Sequence, residues 1–173
     1  PPFGLLGNYE GYKAESEVPQ AVYRIDGDSG ETSVITTDAL GPNGLCFSPD
    51  EKILYLVESR AEPTRKILAF DVAENGREVL NKRVHIDAGP GGTPDGMRCD
   101  IDGNLWCGWG MGNEELDGVL VFAPDGTKIG RIRLPERCAK SADSCRARSS
   151  RRRAWKMPAT CSSVRPAGCR SPG

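Results

Sequence analysis

Pro42-Asn43-Gly44-Leu45, followed by Ser48-Pro49-Asp50 and the apolar run Ile53-Leu54-Tyr55-Leu56-Val57, decides the fold. Fifty-two residues later the chain reads Pro94-Asp95-Gly96-Met97, then Asp100-Ile101-Asp102, then Leu105-Trp106. The same step carries Ile67-Leu68-Ala69-Phe70 onto Val119-Leu120-Val121-Phe122, so the matches share one offset without a gap. A weaker echo, Val22-Tyr23-Arg24-Ile25-Asp26, resembles Ile67 to Asp71 at an offset of 45. Each repeat holds short β-branched or alternating runs, and no stretch keeps a helical period over about ten residues. The runs are separated by turn dipeptides: Asn43-Gly44, Pro49-Asp50, Asn75-Gly76, Asp95-Gly96, Asp102-Gly103 and Asp125-Gly126. Three or four strands recurring at about 50 residues is the signature of a β-propeller blade. The fold class read from the sequence is therefore all-β.

Outside the repeats the character of the chain changes. Its 173 residues carry a net charge of −1, but the halves differ. From Lys140 to Gly173 there are nine basic residues against Asp143 alone, which leaves 14 bases and 23 acids before it. That tail has no Ile, Leu, Phe or Tyr and cannot offset the entropy of ordering itself. Residues 1–139 are expected to be the folded unit, a partial propeller, and 140–173 a disordered basic tail. The tail's Arg, Ser, Ala, Pro, Gly and Cys are also what an out-of-frame reading of GC-rich DNA yields. A body of 139 residues holds two to three blades, and a ring needs at least about four to close. The body is expected to be part of a larger ring.

No run of 18 or more apolar residues occurs, so no membrane partner is expected. Arg151-Arg152-Arg153 has no aromatic interleaving and no folded neighbour, so no nucleic-acid partner is expected either. The chain opens on Pro1-Pro2-Phe3 with neither Met nor a signal-peptide pattern. Its seven cysteines include no C-x-x-C pair and read as free thiols of a reducing compartment. The expected location is the cytoplasm, with the periplasm left open.

Chemistry points to the starts of the innermost strands, where equivalent residues of different blades converge on the propeller axis. Asn43 and Asp95 hold equivalent positions, each between a Pro and a Gly. The Pro stiffens the approach and the Gly permits a tight turn. An amide carbonyl and a carboxylate are hard oxygen donors of the kind Ca²⁺ or Mg²⁺ takes. Two donors do not complete a site, and the rest must come from other blades. Either dipeptide can equally be a plain hairpin turn. His85, the only histidine, lies in the strand-like run Arg83-Val84-His85-Ile86-Asp87 without a second ligand at metal spacing. Trp106 and Trp109 read first as core, although Trp109 could reach the channel mouth.

Gly41-Pro42-Asn43-Gly44-Leu45-Cys46-Phe47-Ser48-Pro49-Asp50 and Thr93-Pro94-Asp95-Gly96-Met97 with Asp102-Gly103-Asn104-Leu105-Trp106 resemble the gluconolactonase branch of the regucalcin (senescence marker protein) family. Pro1-Pro2-Phe3-Gly4 and the stretch from Tyr9 to Glu15 are similar to its bacterial members. The resemblance runs from Pro1 to about Ala139. It implies a six-bladed propeller with one divalent cation on its axis, Ca²⁺ first, Zn²⁺ or Mg²⁺ as alternatives. It implies that Asn43 is a metal ligand and that Asp95 is both a ligand and the catalytic general base. The implied reaction is hydrolysis of a sugar lactone, of the type that takes glucono-1,5-lactone to gluconate. Family members also carry a Glu ligand and an Arg…Asn-Asp motif ahead of the Pro-Pro-Phe-Gly region, and neither is in this chain. This polypeptide is therefore expected to be inactive by itself. The competing reading is a non-catalytic propeller that binds partners or merely holds the cation.

Overall fold

The computed structural model describes residues 18–110 and 115–134. Ten strands follow one another: β1 Val22–Ile25, β2 Thr32–Thr36, β3 Pro42–Phe47, β4 Ile53–Glu58, β5 Lys66–Val72, β6 Val79–Asp87, β7 Pro94–Cys99, β8 Leu105–Trp109, β9 Gly118–Phe122 and β10 Lys128–Arg133. Among the described residues there is no helix. All pairings are antiparallel. They form a hairpin, β1-β2, and two four-stranded meanders, β3-β4-β5-β6 and β7-β8-β9-β10. The all-β class expected from the sequence is present, and the expected repeat of three or four strands has four. The boundary at residue 139 and the basic tail lie outside the described residues.

The alternating side-chain direction of a strand explains why β4 and β5 read as unbroken apolar runs. Leu54, Leu56, Leu68 and Phe70 turn to one face and join Val22 and Ala39 in a core under the β1-β2 hairpin. Tyr55, Val57, Ile67 and Ala69 turn to the other face. There they pack with Ile86 against Met97, Leu105, Cys107, Trp109, Leu120 and Phe122 of the next meander. The first meander is thus buried on both faces. Its last strand, β6, is largely exposed along Leu80–Val84 and carries Lys82 and Arg83, charges that discourage edge pairing.

Two features of the sequence reading change in the structure. Phe47 pairs with Leu54, whereas the repeat-equivalent Cys99 pairs with Leu105. The first inner turn is therefore one residue longer, and β4 maps onto β8 at an offset of 51, not 52. The next connection restores the count: Leu56 faces Leu68, and Cys107 faces Leu120. The repeat does contain a gap, compensated within one hairpin. Second, Asn43-Gly44 and Asp95-Gly96 are not turns. They lie inside β3 and β7, at register shifts between Pro42 and Leu45 and between Pro94 and Met97. The dipeptides at Gly76, Gly103 and Gly126 are turns, each with positive φ.

Repeat-equivalent positions need not be equally covered. Met97 is 0% exposed between the meanders, while its counterpart Leu45 is 42% exposed beside the hairpin. Leu45 and Phe47 line a groove of about 270 Å³ with Val22, Ile35 and Leu54. Met97→Ala should destabilise the protein by about 2–5 kcal/mol, and Leu45→Ala by less than about 1 kcal/mol, in urea denaturation.

Candidate metal and active site

The two meanders approach most closely along β3 and β7, the first strand of each. Gly44 makes the approach possible. A Cβ built there would collide with the Asp95 carbonyl and crowd Gly96 Cα. Gly44 has no positive φ among the backbone exceptions, so the requirement is space and not a left-handed turn. With the strands this close, the Asn43 Nδ2–H group donates to Asp95 Oδ1 at 2.8 Å. The two residues singled out from the repeat therefore meet directly, across 52 residues of sequence.

Asn43 is exposed and Asp95 half-buried. Burial pushes the Asp95 carboxyl above its ordinary range, opposed by the Asn43 hydrogen bond and the Arg65 guanidinium, which favour the charged form. Arg65 directly precedes β5, and its carbonyl accepts from Ala88 N–H at 2.9 Å. Just ahead of Asn43, the Leu40–Gly41 segment is tied to Glu58 and Ser59. Sequence reading passed over Glu58, because a charge closing an apolar run reads as solvated, yet it is 6% exposed. It passed over Arg65 as well, and no local pattern distinguishes that residue.

The remaining candidates lie elsewhere. His85 is on β6, at the opposite edge of the meander from β3. Its ring tilts against Tyr55 at 4.9 Å, and burial lowers its pKa. Trp109 is core: it is buried and packs on Phe122 at 5.6 Å. Cys46, Cys99 and Cys107 are free thiols. Burial raises Cys107 and pushes Cys46 up to about 12 and Cys99 to about 11. Cys138, Cys145, Cys161 and Cys169 lie outside the described residues, as does Arg151-Arg152-Arg153.

Asn43 and Asp95 suit a hard cation in kind, since both supply oxygen. They are short in number. Among the described residues no group of three His, Cys, Asp or Glu side chains is arranged to hold a metal. What the pair offers is one amide oxygen, one carboxylate and a half-buried setting at the meeting of two inner strands.

A chain that places an Asn and an Asp from consecutive four-stranded blades side by side belongs to a definable class. Residues 3–143 match the SMP-30/Gluconolactonase/LRE-like region family, and the chain belongs to that family. The gluconolactonase of Zymomonas mobilis is 35% identical over 139 residues, covering 76% of this chain and 36% of that protein. The L-arabinolactonase of Azospirillum brasilense is 32% identical over 126 residues, covering 69% and 39%. Among solved structures, a gluconolactonase from Xanthomonas campestris superposes with a TM-score of 0.61 at 33% identity, covering 73% of this chain and 39% of that one. A calcium-binding regucalcin from Agrobacterium tumefaciens gives 0.56 at 25% identity, covering 68% and 38%. The chain thus spans under two-fifths of the length of each of these relatives.

Gly44→Ala should push β3 from β7 and destabilise the protein by about 1–3 kcal/mol, read by urea denaturation. Iodoacetamide at pH 8 should leave Cys46 and Cys107 unlabelled until denaturant is added, because burial keeps both protonated and enclosed.

Proposed function

We propose that Asn43 and Asp95 form part of the active site of a sugar-lactone hydrolase, completed by a ring of six blades. The observation that carries this reading is the 2.8 Å contact between the two side chains at the starts of neighbouring inner strands. Support comes from relatives that bear the names gluconolactonase and L-arabinolactonase. The substrate class is a five- or six-membered lactone of a sugar acid, with glucono-1,5-lactone as the first choice.

One divalent cation, Ca²⁺ before Mg²⁺ or Zn²⁺, would be held by Asn43 Oδ1 and an Asp95 carboxylate oxygen with further ligands from other blades. Bound there, it supplies Lewis-acid polarisation of the lactone carbonyl. The chain's own contribution is at Asp95. Its carboxylate takes a proton from the attacking water as the water oxygen bonds to the carbonyl carbon. The ring C–O bond then breaks, and the former ring oxygen leaves as a hydroxyl on receiving the proton that Asp95 took from the water. Asn43 fixes the Asp95 carboxylate, so that the oxygen facing the substrate keeps one orientation. Without the cation, half-burial raises the proton affinity of the Asp95 carboxyl.

The contribution of these residues depends on the whole ring, so the 173-residue chain alone is expected to hydrolyse lactone little or not at all. The alternative, a propeller that holds a cation without turnover, draws on the calcium-binding regucalcin among the similar structures. Proton release from glucono-1,5-lactone separates the two readings. The complete protein should accelerate release, lose that acceleration in EDTA and regain it with Ca²⁺. Cation binding without any acceleration would favour the second reading.

Asp95→Asn gives a sharper result. The folded state raises the Asp95 pKa above its unfolded value. The stability this carboxyl contributes is therefore full below the unfolded pKa and is lost as pH rises through the folded one. At neutral pH Asp95→Asn should abolish hydrolysis while leaving the cation-free melting temperature unchanged or higher. A variant that loses both activity and melting temperature would show that Asp95 is structural.

A further inference from the structure

The segment leading into Asn43 is held by more than backbone pairing. Glu58 closes β4 and is buried, with its register partner Pro42 across the sheet. Its Oε1 accepts the Leu40 N–H at 2.9 Å and lies 4.0 Å from Lys82 Nζ. Ser59 holds the next carbonyl twice: its Oγ donates to Gly41 O at 2.7 Å, and its N–H donates to the same atom at 3.1 Å. Arg60 N–H donates to Leu40 O at 3.0 Å. Gly41 has a φ of 64°, and a Cβ there would collide with the Arg60 side chain. Pro42 then fixes its own φ, and Asn43 follows directly.

Burying a carboxylate is costly, and a loop can be closed without one. At the matching approach to β7, Trp109 stands opposite Pro94, and Gly110 N–H donates to Thr93 O at 3.3 Å. Local hydrogen bonds of the Glu58 and Ser59 kind are what hold a ligand at a fixed angle. We infer that Glu58 and Ser59 are positioning residues for Asn43: they fix the Leu40–Pro42 segment so that the Asn43 amide is presented to Asp95 in one orientation. The clamp requires hydrogen-bonding groups, not charge. The inference rests on the proposed site, and it adds residues outside the Asn43–Asp95 pair.

The test uses the full chain and two readouts. The first is the side-chain amide NMR signal of Asn43, assigned by its disappearance in Asn43→Asp. The second is the Kd for Mn²⁺, measured by electron paramagnetic resonance. Glu58→Ala and Ser59→Ala should move the Asn43 signal toward that of a solvated amide and raise the Mn²⁺ Kd about tenfold. Glu58→Gln and Ser59→Thr, which keep the acceptor and the hydroxyl, should leave both close to the parent values. An Asn43 signal unchanged in Ser59→Ala and Glu58→Ala would overturn the inference, whatever happens to melting temperature. If Glu58→Ala does not fold, Ser59→Ala decides, since it removes one hydroxyl only. If the parent binds no Mn²⁺, the Asn43 signal alone decides the clamp, because the proposed cation draws further ligands from other blades.

Discussion

The constraint on which the rest depends is the missing side chain at Gly44. Two four-stranded meanders can pack face to face at many separations, but their first strands meet this closely only where one backbone carries no Cβ. That single absence brings β3 against β7 and sets Asn43 within hydrogen-bonding distance of Asp95. Any larger residue would face the Asp95 carbonyl itself, a rigid backbone atom that cannot rotate away. The inner contact of the fold and the candidate site are therefore one feature.

Packing outward from this contact is that of sheets stacked in series. The first meander is buried on both faces, and each face draws on alternate residues of β4 and β5. Stability in such an arrangement is shared between neighbours, because no blade encloses a core alone. The contrast between Met97 and Leu45 is the local expression: the same repeat position is sealed where a meander lies against it and open where a two-stranded hairpin does. The buried thiols Cys46 and Cys107 sit within the inter-sheet core and the half-buried Cys99 packs against it, where they act as small apolar groups.

The repeat made the all-β class, the blade-sized unit of three or four strands and the convergence of Asn43 and Asp95 legible in the sequence. Periodicity carries that information because equivalent strands occupy equivalent places. What it could not carry is what lies across from a residue. Asn43-Gly44 and Asp95-Gly96 have the composition of hairpin turns, and only the neighbouring strand shows that Gly44 serves close approach inside a strand. The one-residue difference between the inner turns was hidden because a later connection cancels it. Glu58 was illegible for a related reason: its burial depends on a loop eighteen residues earlier in the chain. Arg65 reaches Asp95 only through the fold, and nothing in Thr64-Arg65-Lys66 sets it apart.

Chemically, the candidate site combines a half-buried carboxylate with an amide that donates a hydrogen bond to it. The central claim is that these two side chains are joint oxygen donors to one cation. Anomalous diffraction from crystals grown in Mn²⁺ tests it most directly. The account predicts a metal peak at about 2.0–2.6 Å from Asn43 Oδ1 and from an Asp95 carboxylate oxygen. Saturating Mn²⁺ with no peak there, and the Asn43 amide nitrogen still donating to Asp95, would contradict it.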